Sequence, residues 1–198
     1  QVIDASGLTD EEGKPTENFD PKKEIEFLVE EINLWFESVV KRNLEKLKLP
    51  SSKADLIILL QEKLSGLGVT KEEISNVLEK TSIQDIDKFS RNLREISKPM
   101  IIAANKIDLK PSQDNYEKLK KEYVNIIPTS AESEIALKKA EEKGLIKYNG
   151  NDFEIIGELD IARQRGLEYI KKEVLEKFNS TGIQDCLNKS VFEILDYV

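Results

Sequence analysis

Residues 99–108 read Pro99-Met100-Ile101-Ile102-Ala103-Ala104-Asn105-Lys106-Ile107-Asp108, an apolar run that stops abruptly in polar residues. Consecutive rather than alternating apolar positions are what a central parallel strand needs when helices cover both of its faces. The spacing predicts a strand over 100–104. Further strands are predicted near Val2 to Asp4 and Asn125 to Pro128. A hairpin is predicted from Leu145 to Ile156, where Asn149-Gly150 suits a tight two-residue turn. The polar residues 105–108 then leave the carboxyl end of a parallel strand, the edge at which open α/β sheets bind ligands. A second polar stretch, Ser130-Ala131-Glu132, follows the next predicted strand, and one helix at about Asn115 to Tyr123 separates the two loops. That order favours one shared pocket.

The remaining chain reads mainly as helix. Asp20-Pro21 opens the first, because Asp20 can accept from free amides and Pro21 loses nothing at the first helical position. Ile25, Leu28, Ile32, Trp35 or Phe36, Val39 and Leu47 recur at helical spacing, which predicts a helix to about Lys48, near 42 Å at 1.5 Å per residue. A second helix is predicted over Ala54 to Leu64, closed by Ser65-Gly66-Leu67-Gly68. Thr70-Lys71-Glu72-Glu73 has capping-box spacing and opens a third, and a fourth carries Ile83, Ile86, Phe89, Leu93 and Ile96 and stops ahead of Pro99. Residues 21–97 therefore read as a helical insertion between two strands of one sheet. Residues 1–20 and 98–198 read as parts of the same strand-containing domain. Two late helices are expected over Leu159 to Phe178 and Gly182 to Asp196.

Composition removes whole classes of chemistry. With no histidine and one cysteine there is no Ser-His-Asp or Cys-His relay, no histidine zinc helix and no disulfide within the chain. Cys186 reads as a small core residue, and a reducing, cytoplasmic location fits. No catalytic residue and no metal-ligating set is assigned. The longest purely apolar run, Leu56 to Leu60, is five residues, where a membrane span needs about twenty. With 30 basic against 38 acidic residues the net charge is −8, which disfavours a polyphosphate-binding surface, and no sequence-specific DNA binding is expected. Lys41-Arg42 through Lys48, with Lys53, is either an RNA contact or a solvated helix face. Trp35-Phe36 is either core packing or an exposed docking stripe. Asp10-Glu11-Glu12 reads as a solvated loop.

Asn105-Lys106-Ile107-Asp108 paired with Ser130-Ala131-Glu132 resembles the guanine-recognition half of a P-loop GTPase, whose fourth motif is N-K-x-D and whose fifth is S-A-x. The resemblance implies that Asp108 accepts from guanine N1–H and the 2-amino group. Asn105 would tie the loops together and reach the purine edge, with the Lys106 stem over the ring. Ser130 would steady Asp108, the Ala131 amide would meet the guanine oxygen, and Glu132 belongs to the same stretch. A carboxylate there is selective because adenine presents a lone pair at N1, which would face the charge unpaired. Such pairing can reject the wrong ligand by about 10⁴ to 10⁵.

Val2-Ile3-Asp4-Ala5-Ser6-Gly7, the long helical block, Pro128-Thr129-Ser130-Ala131-Glu132 and Ser180-Thr181-Gly182-Ile183-Gln184 extend the resemblance over nearly the whole chain. They are similar to the Obg-like, YchF-type GTPase/ATPase family, particularly its archaeal members. That resemblance implies a translation-associated nucleotide hydrolase with a helical insertion and a C-terminal TGS domain, and with the ribosome as a partner. Lys106 and Asp108 together favour GTP over ATP. Two departures matter: no G-x-x-x-x-G-K-[ST] occurs, and no D-x-x-G stands ahead of the first strand. The expectation is a fragment that supplies base recognition without hydrolysis, magnesium being bound only in the intact parent. Its sheet is expected to lack a neighbour on one side of 100–104. The contrasting reading is a noncatalytic helical module that docks on a ribosome or protein partner.

Overall fold

The computed structural model describes residues 1–10, 12–16, 19–45 and 47–195. Glu11 of the acidic loop, Lys46 of the basic cluster and Asp196 at the expected end of the last helix lie outside the described residues. Three parallel strands form one sheet in the order β1 (Val2–Asp4), β2 (Ile102–Asn105), β3 (Ile126–Pro128). Their register pairs Val2 with Ala103 and Ile102 with Ile126. The α/β class read from the sequence is the class observed.

β2 begins two residues later than predicted and takes in Asn105, because β1 pairs Asp4 with Asn105 and keeps the ladder running into the polar residues. It also has both neighbours. The expected open side of 100–104 is therefore corrected: the outer position belongs to β1, where Val2 is 68% exposed.

The chain divides into two units, Gln1–Ile25 with Met100–Val198, and Glu26–Pro99. In the second, α1 (Pro21–Leu44) supplies Phe36 and Val40 to a core shared with Leu60 of α2 (Lys53–Lys63), Ile74 and Val77 of α3 (Lys71–Lys80), and Phe89 and Leu93 of α4 (Ile86–Ser97). α1 ends four residues before the predicted Lys48. Leu47 still packs on that core, but from a turn in which its N–H meets Leu44 O at 3.2 Å, since apolar spacing reports burial rather than backbone conformation. Thr70 and Glu73 form the predicted capping box at the start of α3, each side chain accepting from the other's backbone N–H. Trp35 and Phe36 part company: Phe36 is fully buried, while Trp35 is 57% exposed and meets it edge to face.

In the first unit, α5 (Lys110–Leu119) starts five residues before the predicted Asn115, with Pro111 in its first turn, where a missing N–H and fixed φ cost nothing. α6 (Ala131–Glu142) follows β3 directly, capped by Ser130. β4 (Ile146–Tyr148) and β5 (Phe153–Ile155) form the antiparallel hairpin. Its loop has four residues rather than two, because Asn149 Oδ1 accepts from the N–H groups of both Asn151 and Asp152 and so spreads the turn, with Gly150 at φ +97°. α7 (Ile161–Ile170) is capped by Asp160 and continues through a π-helical turn, Lys171–Leu175, into the short α8 (Glu176–Phe178). α9 (Ile183–Asn188) also passes into π-helical backbone, Lys189–Ile194. Ile107, Leu137, Ile146, Leu167 and Val174 make this unit's core. Cys186 is only partly buried.

Candidate functional site

The exits of β2 and β3 are stitched together before any side chain contributes. Thr129 N–H donates to Ala104 O at 2.9 Å, and Ile107 N–H donates to Thr129 O at 3.0 Å. Between them Lys106 takes a left-handed backbone, φ +66°, a conformation that costs a residue with a Cβ about 1 kcal/mol and that clusters where function over-determines the backbone. Ile107 is fully buried, which turns Asn105 and Asp108 to the outside of the loop as half-buried groups. Two side chains from elsewhere hold the loop's carbonyls: Gln113 Nε2 donates to Ile107 O at 3.1 Å, and the Tyr169 hydroxyl donates to Asp108 O at 2.9 Å.

The second loop is joined to the first through side chains. Ser130 Oγ donates to Asp108 Oδ1 at 2.7 Å and also accepts from Ser133 N–H, so one hydroxyl both caps α6 and orients the carboxylate. Among the described residues Asp108 Oδ2 accepts no hydrogen bond. Asn105 Oδ1 accepts from Ala131 N–H at 3.1 Å. The amide that the resemblance gives to a guanine oxygen is thus already engaged by Asn105. Lys106 points its ammonium back to β1, 2.9 Å from Asp4 Oδ2. Five of the six sequence-nominated residues are therefore linked, directly or through the backbone, at the ends of adjacent strands. The sixth, Glu132, is exposed on the first turn of α6 and has no hydrogen bond or ion pair among the described residues. The neighbouring carboxylate is the structured one: Glu134 Oε2 accepts from Thr181 Oγ1 at 2.6 Å and from the Tyr148 hydroxyl at 2.9 Å.

The sequence names Thr181 and Asp4 only as carriers of the resemblance and gives no sign of their bracing roles. Thr181 O accepts from Ser130 N–H at 2.9 Å, which places the 180–182 segment directly behind the second loop. Asp4 is the hub of a partly buried polar cluster, taking the N–H and hydroxyl of Ser6 on Oδ1 and the Thr9 hydroxyl with the Lys106 ammonium on Oδ2. Burial opposes its ionisation, but those hydrogen bonds outweigh it and hold the carboxyl below its ordinary range. Glu24, whose Oε2 accepts from Asp4 N–H, is shifted the other way, chiefly by burial. Burial and the bond to Glu134 push the Tyr148 phenol up to about 12. The only local signal for Asp4 was an acidic residue closing a strand, and its partner lies 102 residues away.

One large cavity of this unit lies away from the two loops. A cleft of about 700 Å³ opens between Ser6, the Phe19-Asp20 turn and α5, lined also by Lys22, Lys110 and Asn115, without Asp108 or Ser130. Among the described residues no three His, Cys, Asp or Glu side chains group so as to hold a metal ion. No helix among them is long and apolar enough to cross a membrane.

Comparison with known proteins bears on this geometry. The chain is 43% identical to an uncharacterized GTP-binding protein of Methanocaldococcus jannaschii and 30% identical to one of Schizosaccharomyces pombe, in each case along its whole length. It spans about half the length of these relatives, 53% and 54%. The crystal structure of a GTP binding protein from Pyrococcus horikoshii superposes with a TM-score of 0.69 at 33% identity, covering 98% of this chain and 56% of that one. Residues 103–198, which contain both loops and the helices that brace them, match the family described as Obg-like GTPase YGR210-like, G4 motif-containing domain.

Proposed function

We propose that this chain supplies base recognition in a guanine-nucleotide-binding protein related to the Obg-like GTPases. The observation that carries the reading is the Ser130–Asp108 hydrogen bond of 2.7 Å. It uses one carboxylate oxygen for orientation and leaves the other without a hydrogen bond among the described residues, at the carboxyl ends of two parallel strands. In this reading Asp108 accepts from guanine N1–H and the 2-amino group. Charge-assisted bonds of this kind are the strong ones, and adenine would set a lone pair against the same oxygen. The Asn105 amide reaches the purine edge, and the Ala131 N–H is shared between Asn105 Oδ1 and the guanine oxygen. Selectivity follows from the unpaired carboxylate left by the wrong base, and no metal is needed for it.

GTP is the favoured nucleotide and ATP the disfavoured one, on the presence of Lys106 and Asp108. The matched family points to the YGR210-like branch, and the YchF-type likeness is kept only at the level of the Obg-like group. Hydrolysis is assigned to none of the described residues. Association with translation and the ribosome rests on the resemblance. The basic cluster lends it little, since Lys41 pairs with Glu37 and Asp87, and Lys53 with Glu79. The helical-module reading keeps one observation in its favour: Phe27, Leu34 and Trp35 of α1 are each about half exposed.

The test is a titration with guanosine and adenosine, read by backbone chemical shifts. Guanosine is expected to shift residues 105–108 and 130–131, adenosine not, and Asp108→Ala is expected to abolish the difference. Equal responses to the two nucleosides would refute base recognition.

A further inference from the structure

Lys106 is held in an unusual way. Its backbone is left-handed, and its side chain, 43% exposed, runs back across the loop to end on a carboxylate that is only 13% exposed. That carboxylate does not move freely either: Asp4 Oδ1 is fixed by two donors from Ser6, and Oδ2 by Thr9 besides the lysine. The Asp4 N–H in turn donates to Glu24 Oε2 at 3.2 Å, and Ala5 N–H to Asn105 O at 3.1 Å, so the end of β1 is tied to the end of β2. A long, flexible cation is thereby anchored at its tip by a carboxylate that three further donors hold, while the lysine side chain as a whole stays 43% exposed. An unanchored lysine would have to lose its rotamer freedom on meeting a ligand, and this one has lost it in advance.

We propose that Asp4 is a positioning residue for the base site. By fixing the Lys106 ammonium it lays the aliphatic stem out as a flat apolar support for the face of a purine, as amphipathic side chains do when the charged head is held and the stem contacts apolar surface. The proposal rests on the base-recognition reading and adds a division of labour to it. Asp108 reads the edge of the base and sets guanine against adenine. Asp4, through Lys106, supports the face, which both purines share. Loss of Asp4 therefore weakens binding without changing preference.

The experiment is a double-mutant cycle on the 198-residue chain, with guanosine and adenosine as probes and far-UV circular dichroism as the check on folding. Asp4→Asn is expected to weaken guanosine binding by about fivefold, the upper range for a half-exposed ion pair, with the guanosine-to-adenosine ratio unchanged. In a Lys106→Met background, which keeps the apolar stem but has no ammonium, Asp4→Asn is expected to have no further effect. An additive effect, or an unchanged affinity in Asp4→Asn, overturns the proposal, because a merely structural aspartate would act whether or not the ammonium is present. Should Asp4→Asn fail to fold, Thr9→Val releases one anchor and keeps the charge. It is expected to weaken binding about twofold by loss of one hydrogen bond's ordering, again only when Lys106 is intact. The two readings fail separately. If Asp108→Ala leaves guanosine binding unchanged, base recognition itself is wrong. If Asp108→Ala removes the preference while Asp4→Asn changes nothing, only the role of Asp4 is wrong.

Discussion

Gly182 lies so close to the end of β3 that a Cβ built on it would stand 1.9 Å from Pro128 O, and its φ is +76°. Both facts demand glycine at this position. The residue lets the 180–182 segment press against the backbone of the loop that carries Ser130, whose N–H meets Thr181 O. Gly182→Ala is therefore expected to lower stability by about 2–4 kcal/mol, combining overpacking with left-handed strain. The urea midpoint should fall, and the shifts of 129–131 should move most. A variant as stable as the parent would contradict the close approach.

Ser130 is buried, and its hydroxyl bonds Asp108 Oδ1, Ser133 N–H and the Ser133 hydroxyl. Ser130→Ala removes a helix cap and the carboxylate's orienting donor together, for an expected cost of about 1–2 kcal/mol. Guanosine affinity should fall as well, whereas Glu132→Ala, at an exposed position without partners among the described residues, should leave both unchanged. Calorimetric melting and a guanosine titration of the two variants would separate them.

The Tyr148 phenol gives the fold a defined alkaline limit. In the native state burial and Glu134 hold it to about 12, whereas its ordinary value is 10.0. Between those values the unfolded chain has released a proton that the folded chain still binds, so stability falls as pH rises through that window and is undiminished below it. Absorbance titration of phenolate should show a late-ionising tyrosine that disappears in Tyr148→Phe. That variant should also lose less stability between pH 10 and 12.

In the 26–99 unit Arg94 is buried, and its Nε donates to Asn33 Oδ1 at 2.8 Å. Arg94→Met keeps the length of the side chain and leaves the buried amide oxygen unpaired. The expected loss is about 1–3 kcal/mol, seen as a lower urea midpoint at unchanged slope.

Much of the strand-and-helix order could be read locally, because the features that set it are local. The apolar run ending at Asn105 has no reason to stop in polar residues unless a strand ends there, and Thr70 with Glu73 closes a hydrogen-bonded box within one turn. Readings failed where the deciding contact was elsewhere. The hairpin loop widened because Asn149 bonds two amides that an Asn-Gly dipeptide does not reveal. The end of α1 was misplaced because Leu47 reaches its core from a turn.

The amino-acid order alone determined that two polar loops follow two strands, and that an aspartate and a serine with the right chemistry stand in them, since strand, turn and cap preferences act over a few residues. Only the tertiary structure decided that Ser130 turns Asp108, that Asn105 already holds the Ala131 amide, and that Lys106 is anchored on Asp4. Those pairings join residues 22, 26 and 102 positions apart. Separations of that size are bridged by parallel pairing and packing, which no local pattern encodes.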